Sequence, residues 1–266
     1  MNSGMSDYEF IDLVFGSYRT KRKLGLLNSA DNQIPKNIIS TYFASDCKSD
    51  FSNIISKFKK KYIFNESEIE NTNSKYEKLG LGEVYDYISN FDYSTNKFNI
   101  FVQSLLIHQR LYSKCPDKSF GGTLRSDQAI LKGTYLDVMD PEEAKRYFNS
   151  FISNSDFIFE PLKDNDIFSY IEGCIILTVK LIKAQPFIDG NKRTFRALLN
   201  LLFKKIDIPP IYIENSEILE YKNALLKAMI DDNYEEIIKF YYYKICDSIV
   251  ELDVYEKVHG IKGRFK

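Results

Sequence analysis

A chain of 266 residues, 44% apolar and 27% charged, is long enough to bury a sizeable core as one large domain or two small ones. Its 36 Lys and Arg are balanced by 37 Asp and Glu, a net charge of -1, which argues against a general nucleic-acid binder that must neutralise many phosphates. No apolar run approaches the roughly 18–20 residues of a membrane span, and the N-terminal stretch has no charged segment leading into an apolar one, so neither a membrane span nor a secretory signal is expected. The expected location is the cytoplasm; delivery into a host cell looks identical at this level. Cys47, Cys115, Cys174 and Cys246 lie far apart, without CxxC spacing or a His cluster, and read as reduced thiols rather than a zinc site.

In chain order, the spacing of Tyr8, Phe10, Ile11, Leu13, Val14 and Phe15 predicts a helix, and Ile38–Phe43 and Phe51–Phe58 predict two more, in a small helical N-terminal region over 1–60. Asn65–Asn73 is polar and turn-like. Helical periodicity resumes over Gly82–Asn90 and again, strongly apolar, over Phe98–Tyr112. In SFGGTLRSDQAILKGTYL, 119–136, Gly121-Gly122 and Gly133 bracket short segments, which predicts a small β-hairpin. Asp140 then caps a helix with Pro141 in its first turn. From Asp164 to Lys183 nearly every face is apolar, the pattern of a buried central helix. Further helices are expected over about Lys192–Lys205, ending before Pro209-Pro210, and over Leu219–Asp231 and Tyr234–Leu252. The expected class is mostly α with one small β-hairpin, in a domain over 61–255 followed by a charged tail, 256–266.

After the buried helix comes AQPFIDGNKRTFRALLN, 184–200. Lys192, Arg193 and Arg196 stand at a helix start, where the helix dipole and their mutual repulsion disfavour cations. An anion resolves that conflict. The unpaired N–H groups of a helix N-terminus bind anions, Gly190 permits close backbone approach, and Asn191 donates from its amide. Arg193 and Arg196, three apart, project from one face as two guanidinium forks suited to a polyphosphate. Asp189 has the wrong sign for phosphate unless it holds a divalent cation that bridges phosphates. Taken alone, these residues also fit a plain surface helix with a few basic side chains and a turn glycine.

Gln185-Pro186-Phe187-Ile188-Asp189-Gly190-Asn191-Lys192-Arg193-Thr194-Phe195-Arg196 resembles the signature of the Fic (fido) family, His-x-Phe-x-Asp/Glu-Gly-Asn-x-Arg-x-x-Arg, at every fixed position except the first. The resemblance extends over roughly 64–250. Ile107-His108 through Leu111 looks like the helix before the family's flap. Residues 119–136 look like the flap hairpin, with Gly122, Leu124, Arg125 and Ile130 docking the target. Ile208-Pro209-Pro210-Ile211 and Tyr221-Lys222-Asn223-Ala224-Leu225 match downstream segments. The resemblance implies a Fic-type helical bundle with a small β-hairpin flap, and transfer of AMP from ATP to a hydroxyl side chain of a target protein. It implies that Asp189 holds Mg2+, that Gly190 and Asn191 hold the α-phosphate region with Lys192 beside them, and that Arg193 and Arg196 take the β- and γ-phosphates. The implied partners are ATP and a protein of unknown identity, self-modification included. Lys192 stands where a second glycine is usual and is similar to the Doc-like branch, which phosphorylates its targets; Arg196 points back to nucleotidyl transfer.

Gln185 stands where the family has the histidine that takes the proton from the attacking hydroxyl, and a glutamine amide has no useful basicity. It fits an engineered substitution, a natural variant that is slow, is regulatory or binds nucleotide without transferring it, or a residue that positions a nucleophile by hydrogen bonding. His108, in an apolar helix, reads as a packing residue, and His259 as an exposed one. Residues 64–74 resemble the family's inhibitory segment, Ser/Thr-x-x-x-Glu-Gly/Asn, through Glu70 and Asn71, with Glu66 where Ser or Thr is expected. That resemblance implies that Glu70 pairs with Arg196 and blocks the seat of the γ-phosphate. Ser67-Glu68-Ile69-Glu70 also reads as a capping box, which would make Glu70 a local stabiliser of a short helix.

Overall fold

The computed structural model describes residues 33–44, 55–72, 74–129 and 138–258. Among them lie ten α-helices: α1 Gln33–Ala44, α2 Ile55–Ile69, α3 Lys75–Asn90, α4 Ile100–Tyr112, α5 Pro141–Asn149, α6 Glu160–Lys163, α7 Ile167–Ala184, α8 Asn191–Lys204, α9 Ile218–Asp231 and α10 Glu235–Val258. Four begin where the sequence supplies a side-chain oxygen for the unpaired N–H groups of the first turn. Ser74, Asn99, Asp140 and Asp166 accept from the N–H of Glu77, Val102, Glu143 and Ser169, and Pro141 follows Asp140 with its φ already set for a helix.

α7 is the axis of the fold. Tyr170–Val179 are buried without interruption, as a helix apolar on every side must be. α8, α9 and α10 pack on α7, α4 packs on α8 and α3, α2 on α3, and α1 on α10. The last turn of α8 leaves carbonyls with room for a further donor. The hydroxyls of Tyr93 and Tyr170 donate to Leu201 O and Leu202 O, each at 2.7 Å, and fix that end of the helix. No helix of the described residues is long and apolar enough to cross a membrane.

Expectations change at α2. α2 runs unbroken from Ile55 to Ile69, so most of the stretch expected as turn is helix, and the boundary expected after residue 60 falls inside it. It ends because Asn71 turns left-handed, with φ 51; the Asn71 N–H donates to Glu68 O and the Thr72 N–H to Ser67 O, a Schellman closure. Ser67 is therefore no cap. Its hydroxyl donates back to Ile63 O at 2.6 Å within the helix, and the capping-box reading fails. The described part of the expected flap, 119–129, holds no strand ladder; Leu124 makes a single antiparallel bridge to Phe187 in the loop after α7. The helix expected over 8–15, the start of Phe51–Phe58, Ile130, Gly133 and His259 lie outside the described residues.

Candidate functional site

The turn between α7 and α8 is built from hydrogen bonds to its own side chains. Gln185 closes α7 in the left-handed region (φ 49, ψ 57). Its Nε2 donates to Ile182 O at 2.6 Å and its Oε1 accepts from Asn191 Nδ2 at 3.0 Å, so both ends of the amide are engaged and the side chain is buried. Asn191 also clasps Phe187, donating to its carbonyl at 2.7 Å and accepting from its N–H at 2.9 Å. Gly190, φ 75, is the N-cap of α8, and a Cβ there would meet Tyr112 Oη at 2.9 Å. Only glycine suits both the backbone angle and the contact.

His108 joins three pieces of this turn. Its ring stacks on Phe187, with centroids 3.9 Å apart. Nδ1 accepts from the Gly122 N–H at 2.9 Å, which leaves the proton on Nε2 to donate to Asp189 O at 2.9 Å. Burial drives its pKa down to about 4, so the ring is neutral and both nitrogens are spoken for. It packs and positions, as its place in an apolar helix implied.

Arg125 ties the segment before residue 130 to the same turn. Its N–H donates to Pro186 O at 3.0 Å, while its guanidinium donates to the carbonyls of Gln185, Asp127 and Met139. Of the four residues expected to dock a target, Arg125 is buried, Gly122 is bound inward to His108, Leu124 is half-buried on the Phe187 bridge, and Ile130 lies outside the described residues.

The cations at the start of α8 do meet anions, and the anions belong to the chain. Arg193 pairs with Glu77 of α3 and, at 3.4 Å, with Asp189 Oδ2, which also accepts from Tyr112 Oη at 2.9 Å. Desolvation works against charge on Asp189, but Arg193 together with hydrogen bonds from the Gly190 N–H and the Tyr112 hydroxyl holds the carboxyl below its ordinary pKa. Arg196 is fully enclosed beneath α2. Glu66 grips it bidentately, Oε1 and Oε2 accepting from Nε at 3.1 and 3.0 Å and Oε2 from Nη2 at 2.7 Å. Glu70 Oε1 lies 2.9 Å from Arg196 Nη1 without hydrogen-bond alignment, and its Oε2 lies 3.1 Å from Lys192 Nζ. Burial disfavours the Glu70 carboxylate, yet Arg196 and Lys192 hold its pKa below the usual value. The rings of Tyr62, Tyr221 and Tyr241 are buried around this cluster, with the Arg196 guanidinium 5.7 Å from the Tyr221 ring centre.

Sequence reading assigned Arg196 to Glu70 and overlooked Glu66 and Glu77. Glu66 carried a signal: four residues before Glu70, it falls on the same helical face once that stretch is helix rather than turn. Glu77 lies in the first turn of α3, and its reach to Arg193 depends on packing that no spacing encodes. Asn71 terminates the helix that leads into the Glu66 and Glu70 carboxylates.

Residues 101–203 match the model of the Fic/DOC family. This stretch is a Fic/DOC domain. Relatives include the "Protein adenylyltransferase Fic" of Nematostella vectensis, 27% identical over 152 residues, covering 57% of this chain and 34% of that protein, and its namesake in Aedes aegypti, 29% identical over 154 residues, covering 57% and 29%. The "Protein adenylyltransferase fic-1" of Caenorhabditis elegans is 35% identical over 109 residues, 35% of this chain and 22% of that protein. The chain thus spans about a third or less of the length of these relatives. Among solved structures, Fic-1 of C. elegans superimposes with a TM-score of 0.67 at 18% identity, over 90% of this chain and 76% of that one. A Fic domain containing signaling protein from Bacteroides thetaiotaomicron gives 0.67 at 15% identity, over 86% and 98%. The helical fold shared with these structures thus extends well beyond 101–203.

Proposed function

We propose that this Fic domain binds ATP at the turn 185–196 and belongs to a protein that transfers AMP to a protein hydroxyl, in a resting state where its own carboxylates occupy the arginines. One observation carries the reading: Arg193 and Arg196 lie buried at the start of α8, behind a left-handed glycine, and each is neutralised by carboxylates arriving from helices outside the turn. Two guanidiniums so placed are costly without anions, and phosphates present the same charge and geometry as the carboxylates they would replace. In the reaction the target hydroxyl would bond to the α-phosphorus as pyrophosphate leaves, its proton passing to water or to the departing pyrophosphate. Gly190 and Asn191 would hold the α-phosphate region, with Arg193 and Arg196 on the departing pyrophosphate. The Asp189 side chain is 72% exposed and offers hard oxygen donors, which fits Mg2+. When bound, that ion would offset phosphate charge.

No side chain of the turn can act as a strong base. Gln185 only hydrogen-bonds, and His108 is neutral with both nitrogens in use. That favours, as a second reading, a regulator that binds nucleotide without transferring it. Gln185→His separates the two. If only the base is missing, label transfer from α-labelled ATP should rise at least about 10²-fold. Intact ATP binding with no transfer would establish the regulator instead. Transfer from γ-labelled but not α-labelled ATP would identify a Doc-like kinase. Calorimetry with Mg-ATP that shows no binding, even after the carboxylates over Arg196 are removed, would dispose of all three.

A further inference from the structure

The grip on Arg196 is unequal. Glu66 contributes three aligned hydrogen bonds from a position 2% exposed, in the body of α2. Glu70, at the Schellman end of the helix, contributes one unaligned ion pair and turns its other oxygen to Lys192. The charges balance only if all four groups are counted: Glu66 and Glu70 against Arg196 and Lys192. Glu66 stands where the inhibitory segment it resembles has a hydroxyl, and Lys192 stands where the motif usually has glycine. The two departures complement each other, an added anion matched by an added cation.

Resting on the nucleotide reading above, we propose that Glu66 is the principal ligand of Arg196 and that Glu70 mainly neutralises Lys192, so that removal of Glu70 alone leaves the arginine closed to a terminal phosphate. A bidentate carboxylate on a buried guanidinium is the stronger of the two contacts, because alignment and low dielectric reinforce each other. Without Glu70, Lys192, whose side chain is 34% exposed, finds water, while Arg196 keeps Glu66. A terminal phosphate must therefore displace Glu66.

The test uses the full chain and calorimetry with Mg-ATP and Mg-ADP, because their affinity ratio isolates the terminal phosphate. Glu70→Gly should move that ratio by less than about threefold, whereas Glu66→Gln with Glu70→Gly should raise it about tenfold or more, the scale of one charge-assisted hydrogen bond. Adding Arg196→Met should cancel the gain. Glu70→Gly giving the whole gain by itself would overturn the proposal. If no variant binds either nucleotide, although thermal unfolding shows each one folded, the nucleotide reading fails and takes the proposal with it. A second measurement leaves Glu66 in place. Lys192→Met should lower the melting temperature in the wild-type background and leave it unchanged in Glu70→Gly; equal losses in both would show that Glu70 does not serve Lys192.

Discussion

The two arginines of the turn sit three residues apart on one helix, yet their surroundings differ in kind. Arg193 faces carboxylates that reach water: Asp189 is 72% exposed and Glu77 25%. Arg196 faces Glu66, 2% exposed, and Glu70, 15% exposed, beneath α2. One end of the anion site is a mouth and the other a sealed chamber. The difference teaches that closure here acts on one end only. Arg193 is itself buried but has an exposed partner in Asp189, while whatever needs Arg196 must first move a helix or its side chains.

The comparison breaks most visibly under charge removal. Arg196→Met leaves two buried carboxylates with one partly exposed lysine between them, and should cost about 3–5 kcal/mol in urea unfolding. Equal stability of that variant and the parent would mean the chamber is wet. Gly190→Ala comes next. The left-handed backbone and the contact with Tyr112 should cost about 1–2 kcal/mol by the same assay, felt at the mouth alone. Arg193→Met should cost only about 1 kcal/mol or less, since its partners regain water. If it matched Arg196→Met, the distinction between mouth and chamber would be lost.

The smallest effect is the dependence on acid. Glu70 has a folded pKa below its ordinary one, so its contribution is fully present above about pH 4.3 and fades as pH falls through the lowered value. Glu70→Gln should flatten that part of the stability curve. A mutant curve that keeps the parent's slope there would assign the acid loss to other carboxylates.

Much of the fold could be read from local patterns. Asp140-Pro141 and the all-round apolar run before Ala184 each gave a helix where one stands, because capping and a continuous apolar run are local features of the chain. The turn 185–196 was legible for a similar reason: its glycine, its asparagine and its paired arginines act within twelve consecutive residues. What was not legible came from distance in sequence. Glu66 and Arg196 are 130 residues apart, and Glu77 and Arg193 are 116. Polar Asn65–Asn73 looked like a turn because its charged side chains suggested solvent; Glu66 is charged and buried because its partner waits across the fold.

Glu66, within α2, and Glu70, in the turn that closes it, stand four residues apart, about 6 Å along one continuous segment. Lys59 fastens that segment to α3 through Asp86, and Lys61 fastens it to α10 through Glu251. The two carboxylates are therefore teeth on a single key. A slide of one residue, with its rotation of about 100°, withdraws both at once, whereas substitution files them off one at a time. Release by movement of the helix is all-or-none, and release by mutation is graded; a titration of nucleotide binding should be steep in the first case and stepped in the second.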